Sequence, residues 1–388
     1  MIRVNASSEE VRPNFSDPRF ALLVVLGGLL LAVPFLGNGY LLSLTTKVLI
    51  FSIAAASLDL LVGYTGLVSF GHAAFLGVGA YAVSAWVSSG VESGFVHFTS
   101  ALVMGALIGC LIGVISLRTS GLYFIMSTFA FAQMLFYLAV SLERLGGDDG
   151  MNVSASTFGR LRLNAYDGQL LYFVCLILMI AIVIFLRRLV NSKFGFVLRG
   201  SKSNDVRMQA LGFPTFRYKL AAFILAGIIC SLAGTLLANQ QQFVSPSYMG
   251  WIKSGELLVI VILGGTGSIY GSVLGACALI AMEELFIAYA GRDYWMMVLG
   301  PVLVIVVMFA RQGILSAIPS SWGNFWRFSG RVLLMGLGGA AFLSSFQYVP
   351  QLVGLSPLHL IFWPLVILTF WKMFRKKVLR RHSSIRAD

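Results

Sequence analysis

The chain has 388 residues, of which 58% are hydrophobic and 11% charged, and its mean hydropathy is +0.87. A water-soluble fold of that composition would lack the polar residues to cover its own surface. The net charge of +13 would point to nucleic acid in a soluble protein, but the basic residues lie between apolar runs and at the C-terminus. The positive-inside rule accounts for that placement, and no nucleic-acid partner is expected.

In chain order, residues 1–19 are polar and form an N-terminal segment expected on the cytoplasmic side. The first apolar run, 20–40, lacks an A-x-A cleavage site and reads as a membrane helix rather than a removed signal peptide. Further spans are predicted at 46–63, 67–88, 99–117, 121–141, 169–189, 217–239, 254–270, 271–290, 294–310, 331–349 and 356–374. Runs of about 17 to 23 apolar residues match a hydrocarbon core of about 30 Å. The predicted fold class is therefore all-α, a polytopic transmembrane helical bundle of about ten core helices with two extra C-terminal ones. A permease-like core over 20–315 is followed by an extension, 316–388, with two candidate spans and a basic tail. The short spacers Gly63–Gly66, Arg118–Ser120 and Gly264–Gly271 predict tight hairpins or interrupted helices.

Charge sets the expected orientation. The loop after the sixth span holds Arg187, Arg188, Lys193, Arg199, Lys202 and Arg207 against one acid, Asp205, and the tail holds Lys372, Arg375, Lys376, Lys377, Arg380 and Arg381. Both should be cytoplasmic. An even number of predicted crossings separates them, so the two assignments agree, and the N-terminus then lies inside as well. The segment 142–168, with Glu143, Asp148, Asp149 and Asp167, falls outside.

Small residues recur at four-residue spacing. Gly105, Gly109 and Gly113 form one ladder and Gly267, Gly271 and Gly275 another; Ser69, Ala73 and Gly77 repeat the pattern, as do Ala222, Ala226, Cys230, Gly234 and Ala238. Such residues share one helix face and let backbones approach closely. There is also a weak internal echo. Gly63-Tyr-Thr-Gly66 and Gly264-Gly-Thr-Gly267 each follow an apolar span with one acid, Asp59 or Glu256. Transporters often carry internal repeats with Gly-interrupted helices beside the pathway. This makes Asp59, Gly63, Gly66, His72, Glu256, Gly264, Gly265 and Gly267 the candidate pathway or gating residues, with a hydrogen-bonded structural role as the alternative for Asp59, Glu256 and His72.

Catalytic machinery is missing from the sequence. It contains no phosphate loop, no H-E-x-x-H and no G-x-S-x-G. The four cysteines, Cys110, Cys175, Cys230 and Cys277, lie in apolar runs without C-x-x-C spacing and read as small core residues. No metal, cofactor or enzymatic activity is expected. The most informative polar stretch is 194–218, FGFVLRGSKSNDVRMQALGFPTFRY. Asn204 or Asp205 is placed to cap a short helix that Gly212 ends, with Val206, Met208 and Leu211 as apolar anchors. A solvated basic loop is the other reading of the same residues.

The order Arg199, Ser201, Asn204, Asp205, Ala210, Gly212 resembles the coupling loop of bacterial ABC-type permeases of the branched-chain amino-acid (LivM-type) family. Segments 58–82, 121–134, 146–152, 254–276 and 309–315 are similar to the same family and occur in its order. The resemblance implies a permease subunit of an ATP-driven importer in the bacterial inner membrane. It implies as partners a homologous second permease, two cytoplasmic ATP-binding subunits that hydrolyse the ATP, and an extracytoplasmic solute-binding protein. Carried over, Gly200, Ser201, Asn204, Asp205, Ala210, Leu211 and Gly212 would contact the ATPase. Asp148 and Asp149 would face the binding protein, or else form a solvated glycine-rich turn. The resemblance fades after about Leu315, and no role is assigned to the extension. A urea or short-amide permease of the same architecture and an ion-coupled secondary transporter are the alternative functions; the 194–218 stretch weighs against the latter.

Overall fold

A computed structural model of the chain describes residues 27–290, apart from Leu29, 159–160 and 164–167, together with Gly313. The segment 1–19, the spans predicted at 294–310, 331–349 and 356–374, the extension 316–388 and its basic tail lie outside the described residues.

The described chain is mainly helical, with four two-residue strands among its connecting loops. Helix α1, Gly39–Asp59, continues into a π turn over Leu60–Thr65. It is followed by α2 (His72–Val87), α3 (Gly94–Ser116), α4 (Leu122–Ser141), α5 (Gln169–Val190), α6 (Lys193–Ser203), α7 (Asp205–Ala210), α8 (Thr215–Gln241), α9 (Trp251–Gly264) and α10 (Ile269–Ala290). Among the described residues, six helices are long and apolar enough to cross a membrane: α1 with its π turn, α3, α4, α5, α8 and α10.

Three predicted spans have different bounds, each for a local reason. The run 20–40 is cut at a 3-10 turn, Val33–Leu36, where Gly37 takes a left-handed φ of 66°. Asn38 then starts α1, its side chain accepting from the N–H groups of Tyr40 and Leu41. α2 has 16 residues and α9 has 14, fewer than the roughly 20 that span a bilayer. Residues 67–71, predicted inside a span, are non-helical, because Gly66 (φ 75°) turns the chain while its apolar composition continues; 265–268, within the interruption predicted at Gly264–Gly271, are turned by Gly265 (φ 110°) and Gly267 (φ 85°). Ser69 consequently lies ahead of α2, so Ser69, Ala73 and Gly77 do not form one helix face.

α1 is the centre of the bundle. Every residue from Val48 to Leu61 is buried, as expected of a helix apolar all round, and α5, α8 and α10 pack around it. Lipid tails are as apolar as leucine, so close packing rather than the hydrophobic effect holds such helices together. A Cβ added at Gly105 would strike Ser231, one at Gly109 would press on Ile224, and one at Gly113 would meet Leu220 and Phe223, so this ladder seats α3 on α8. Gly79 of α2 meets the Ser231 carbonyl, and Gly234 of α8 meets that of Leu76. Gly271 and Gly275 of α10 lie against Gly264 and Ile260 of α9. Cys175 and Cys230 are buried, whereas Cys110 is exposed on the outer face of α3 and is not a core residue.

The loops fall into two groups. At one end, the π turn, the Gly264–Ser268 turn and the α6–α7 segment meet. At the other, β1 (Met151–Asn152) pairs antiparallel with β4 (Phe243–Val244), and β2 (Thr157–Phe158) with β3 (Leu161–Arg162). Ser93 bridges Thr157 there, and the Ser156 N–H donates to Asn239 Oδ1 at 2.8 Å. The described parts of the acidic 142–168 segment and the basic 190–217 segment are thus on opposite ends.

Candidate coupling and gating site

The π turn that ends α1 is the starting point. π turns are rare and concentrate at functional sites because they redirect backbone groups. Here the turn brings Gly63 against the backbone of Gly267. A Cβ on Gly63 would overlap both Gly267 and the Asp59 carboxylate, so the contact requires glycine. Asp59, one turn earlier, is fully buried, and its Oδ1 accepts from the Gly267 N–H at 2.7 Å. The Tyr64 hydroxyl donates to the Gly267 carbonyl at 2.8 Å. Both polar groups of the Gly267 residue are thereby held by the end of α1. An ionisable side chain at this depth is costly unless it is hydrogen-bonded, and the Gly267 N–H meets part of that cost. Among the described residues the second oxygen, Oδ2, has no hydrogen-bond partner.

The two glycine turns of the sequence echo therefore meet face to face. The acids of that echo do not behave alike. Glu256 lies two turns before Gly264 on α9 and pairs with Lys253 at 2.8 Å, whose ammonium also lies over the Phe51 ring. His72 opens α2, with Nε2 2.8 Å from Ser57 Oγ and its ring edge-on to Phe75. It is a packed, hydrogen-bonded side chain. Gly265 is backed by Gly313, whose added Cβ would overlap it. Sequence reading did not connect Gly313 with this turn, although it lies in one of the resembling segments, and it overlooked Tyr64.

The 194–218 stretch forms two helices rather than one short one. In α6, Gly195, Val197, Leu198 and Ser201 face inward. The break comes at Asn204, whose extended backbone (φ −161°) ends α6 and whose Oδ1 caps α7 by accepting from the Arg207 N–H at 2.9 Å. Gly212, at φ 86°, stops α7, with Gly212 N–H bonded to the Gln209 carbonyl and Phe213 N–H to that of Met208. Asp205 pairs with Lys219 at 3.0 Å and ties α7 to α8. Gly200 and Ser201 are turned inward, and Met208 packs on Gly200. Met208 is thus not one of the exposed anchors the sequence suggested. Val206 and Leu211 are, at 76% and 67% exposure, beside exposed Ala210 and Gly212. Asp148 and Asp149 are exposed at the opposite end, in a turn whose Gly150 packs on the Val244 carbonyl.

Residues 40–307 match the model of a family described as branched-chain amino acid transport system, permease component. The chain belongs to this permease family. It is 29% identical over 317 residues to the high-affinity branched-chain amino acid permease LivM of Escherichia coli, covering 76% of this chain and 74% of that one. The LivM permease of Salmonella typhimurium is 28% identical, with 76% and 73% covered. A LivH permease of the same species is 30% identical over 146 residues, 37% of this chain and 46% of that one. No solved structure matches. The chain is a multi-pass membrane permease subunit of an ABC-type amino-acid importer.

Proposed function

We propose that this permease carries branched-chain amino acids across the bacterial inner membrane, driven by two ATP-binding subunits that dock on the α6–α7 segment. The observation that carries the reading is the exposed apolar pair Val206 and Leu211, within and at the end of the capped α7. It stands at the end that also holds the Gly63–Gly267 contact. An exposed apolar patch in an otherwise basic segment is the signature of a protein-binding surface. Matches to both LivM and LivH relatives support pairing with a second homologous permease.

The positive-inside rule assigns the α6–α7 end to the cytoplasm, with both chain termini. The 142–168 end then faces outward and presents Asp148 and Asp149 to a solute-binding protein, while Asp59 and the glycine turns form the inner gate. No observation favours a urea or short-amide solute. Replacing exposed Ala210 with Trp tests the dock without touching the core. Uptake of labelled leucine and co-purification of the ATP-binding subunits should both fall. Unchanged uptake in cells would overturn the docking assignment, and uptake of urea in place of leucine would overturn the substrate.

A further inference from the structure

Among the basic residues of α6, Lys202 has a specific placement that the positive-inside rule alone does not require. It lies in the last turn of the helix, and its Nζ donates to the Gly63 carbonyl at 2.5 Å. Its stem crosses Gly66, where an added Cβ would stand 3.1 Å from Lys202 Cγ and 3.9 Å from its Cβ. The final carbonyls of a helix have no intrahelical donor, and that end carries partial negative charge, so an ammonium is favoured there twice over. Gly63 is also the residue that touches Asp59 and Gly267. The exposed α6–α7 segment and the clamp on Gly267 are therefore joined by the Lys202 head group, beside the packing of α6 on the π turn. Packing alone resists the approach of two elements. A charge-assisted hydrogen bond also resists their separation.

We infer that Lys202 is the positioning residue that carries movement of α6 and α7 to the Gly63–Gly267 crossing, as a strut that stays attached through the transport cycle. The inference rests on the reading of α6–α7 as the ATPase dock. Its test uses the complete importer in proteoliposomes with labelled leucine as the probe. Three quantities are compared: retention of the ATP-binding subunits, ATP hydrolysis, and uptake per ATP. K202M, which keeps the stem and removes the donor, should retain the subunits and hydrolysis while uptake per ATP falls about tenfold, the scale of one lost hydrogen bond to a charged group. K202R keeps a donor and should recover most of that loss. Uptake per ATP unchanged in K202M overturns the strut. So does loss of the subunits from K202M, which would make Lys202 part of the dock itself.

A second variant removes dependence on K202M. In G66C/K202C the backbone at position 66 is strained by its φ of +75° in both redox states, while the 3.9 Å separation is within disulfide reach, so oxidation should restore uptake above the reduced level; oxidation that blocks uptake or leaves it unchanged overturns the strut. If Ala210→Trp leaves the subunits bound and uptake intact, the docking reading fails. If it releases them while K202M transports normally, only the strut fails.

Discussion

Replacing Gly63 with Ala tests whether the Gly63–Gly267 crossing depends on backbone contact. The new methyl would overlap the Gly267 amide and the Asp59 carboxylate, neither of which is the loose end of a flexible chain. Overpacking of this kind costs about 1–3 kcal/mol. Forcing the Asp59–Gly267 hydrogen bond apart adds about 1.5–3 kcal/mol, because its acceptor is a buried carboxylate. Gly267→Ala is the built-in comparison. Its Cβ would find only ordinary contact, the nearest atom being the Gly63 carbonyl oxygen at 3.5 Å, and the penalty is confined to its φ of +85°. That strain is worth about 1–2 kcal/mol. Thermal unfolding of the detergent-solubilised permease, followed by fluorescence-detected size exclusion, should show Tm lowered by about 3–7 °C for Gly63→Ala and about 1–2 °C for Gly267→Ala, since a chain of 388 residues shifts by roughly 1.2 °C per kcal/mol. Equal shifts, or the larger one at Gly267, would refute the close-approach argument.

Two further outcomes follow from the packing and capping. Gly105→Leu should separate α3 from α8 and sharply reduce folded yield, because its Cβ already meets Ser231; Leu107→Ala, at a position 60% exposed, should change Tm within about 0.5 kcal/mol equivalent. Asn204→Ala should cost about 1 kcal/mol by removing the cap of α7, read as faster amide exchange over 205–210 with exchange in α8 unchanged.

The bundle itself was legible because apolar runs, glycine ladders and basic loops are properties of composition and spacing. The α7 cap at Asn204 and its stop at Gly212 were legible too, since both depend on residues within a few positions. The start of α1 was not. Asn38 is one polar residue at the edge of an apolar run, and its two local hydrogen bonds carry no hydropathy signal. The glycine echo was visible as two similar strings, yet nothing in either string says that Gly63 and Gly267 touch. The pairing of Asp59 with Glu256 as equivalents had no structural counterpart, because Lys253 lies one turn from Glu256 and claims it. Lys202 was hidden for a different reason. A lysine in a loop already rich in lysine and arginine needs no further explanation until its partner is seen.

The strand pair joining Met151–Asn152 to Phe243–Val244 has a consequence for how that end of the bundle can move. It ties the segment entering α5 to the segment leaving α8, and Ser156 with Asn239 adds a second tie nearby. Neither connecting segment is free to swing alone, since each would strand the other's amide and carbonyl groups. Any rearrangement at that end must therefore carry the two segments together, as one plate.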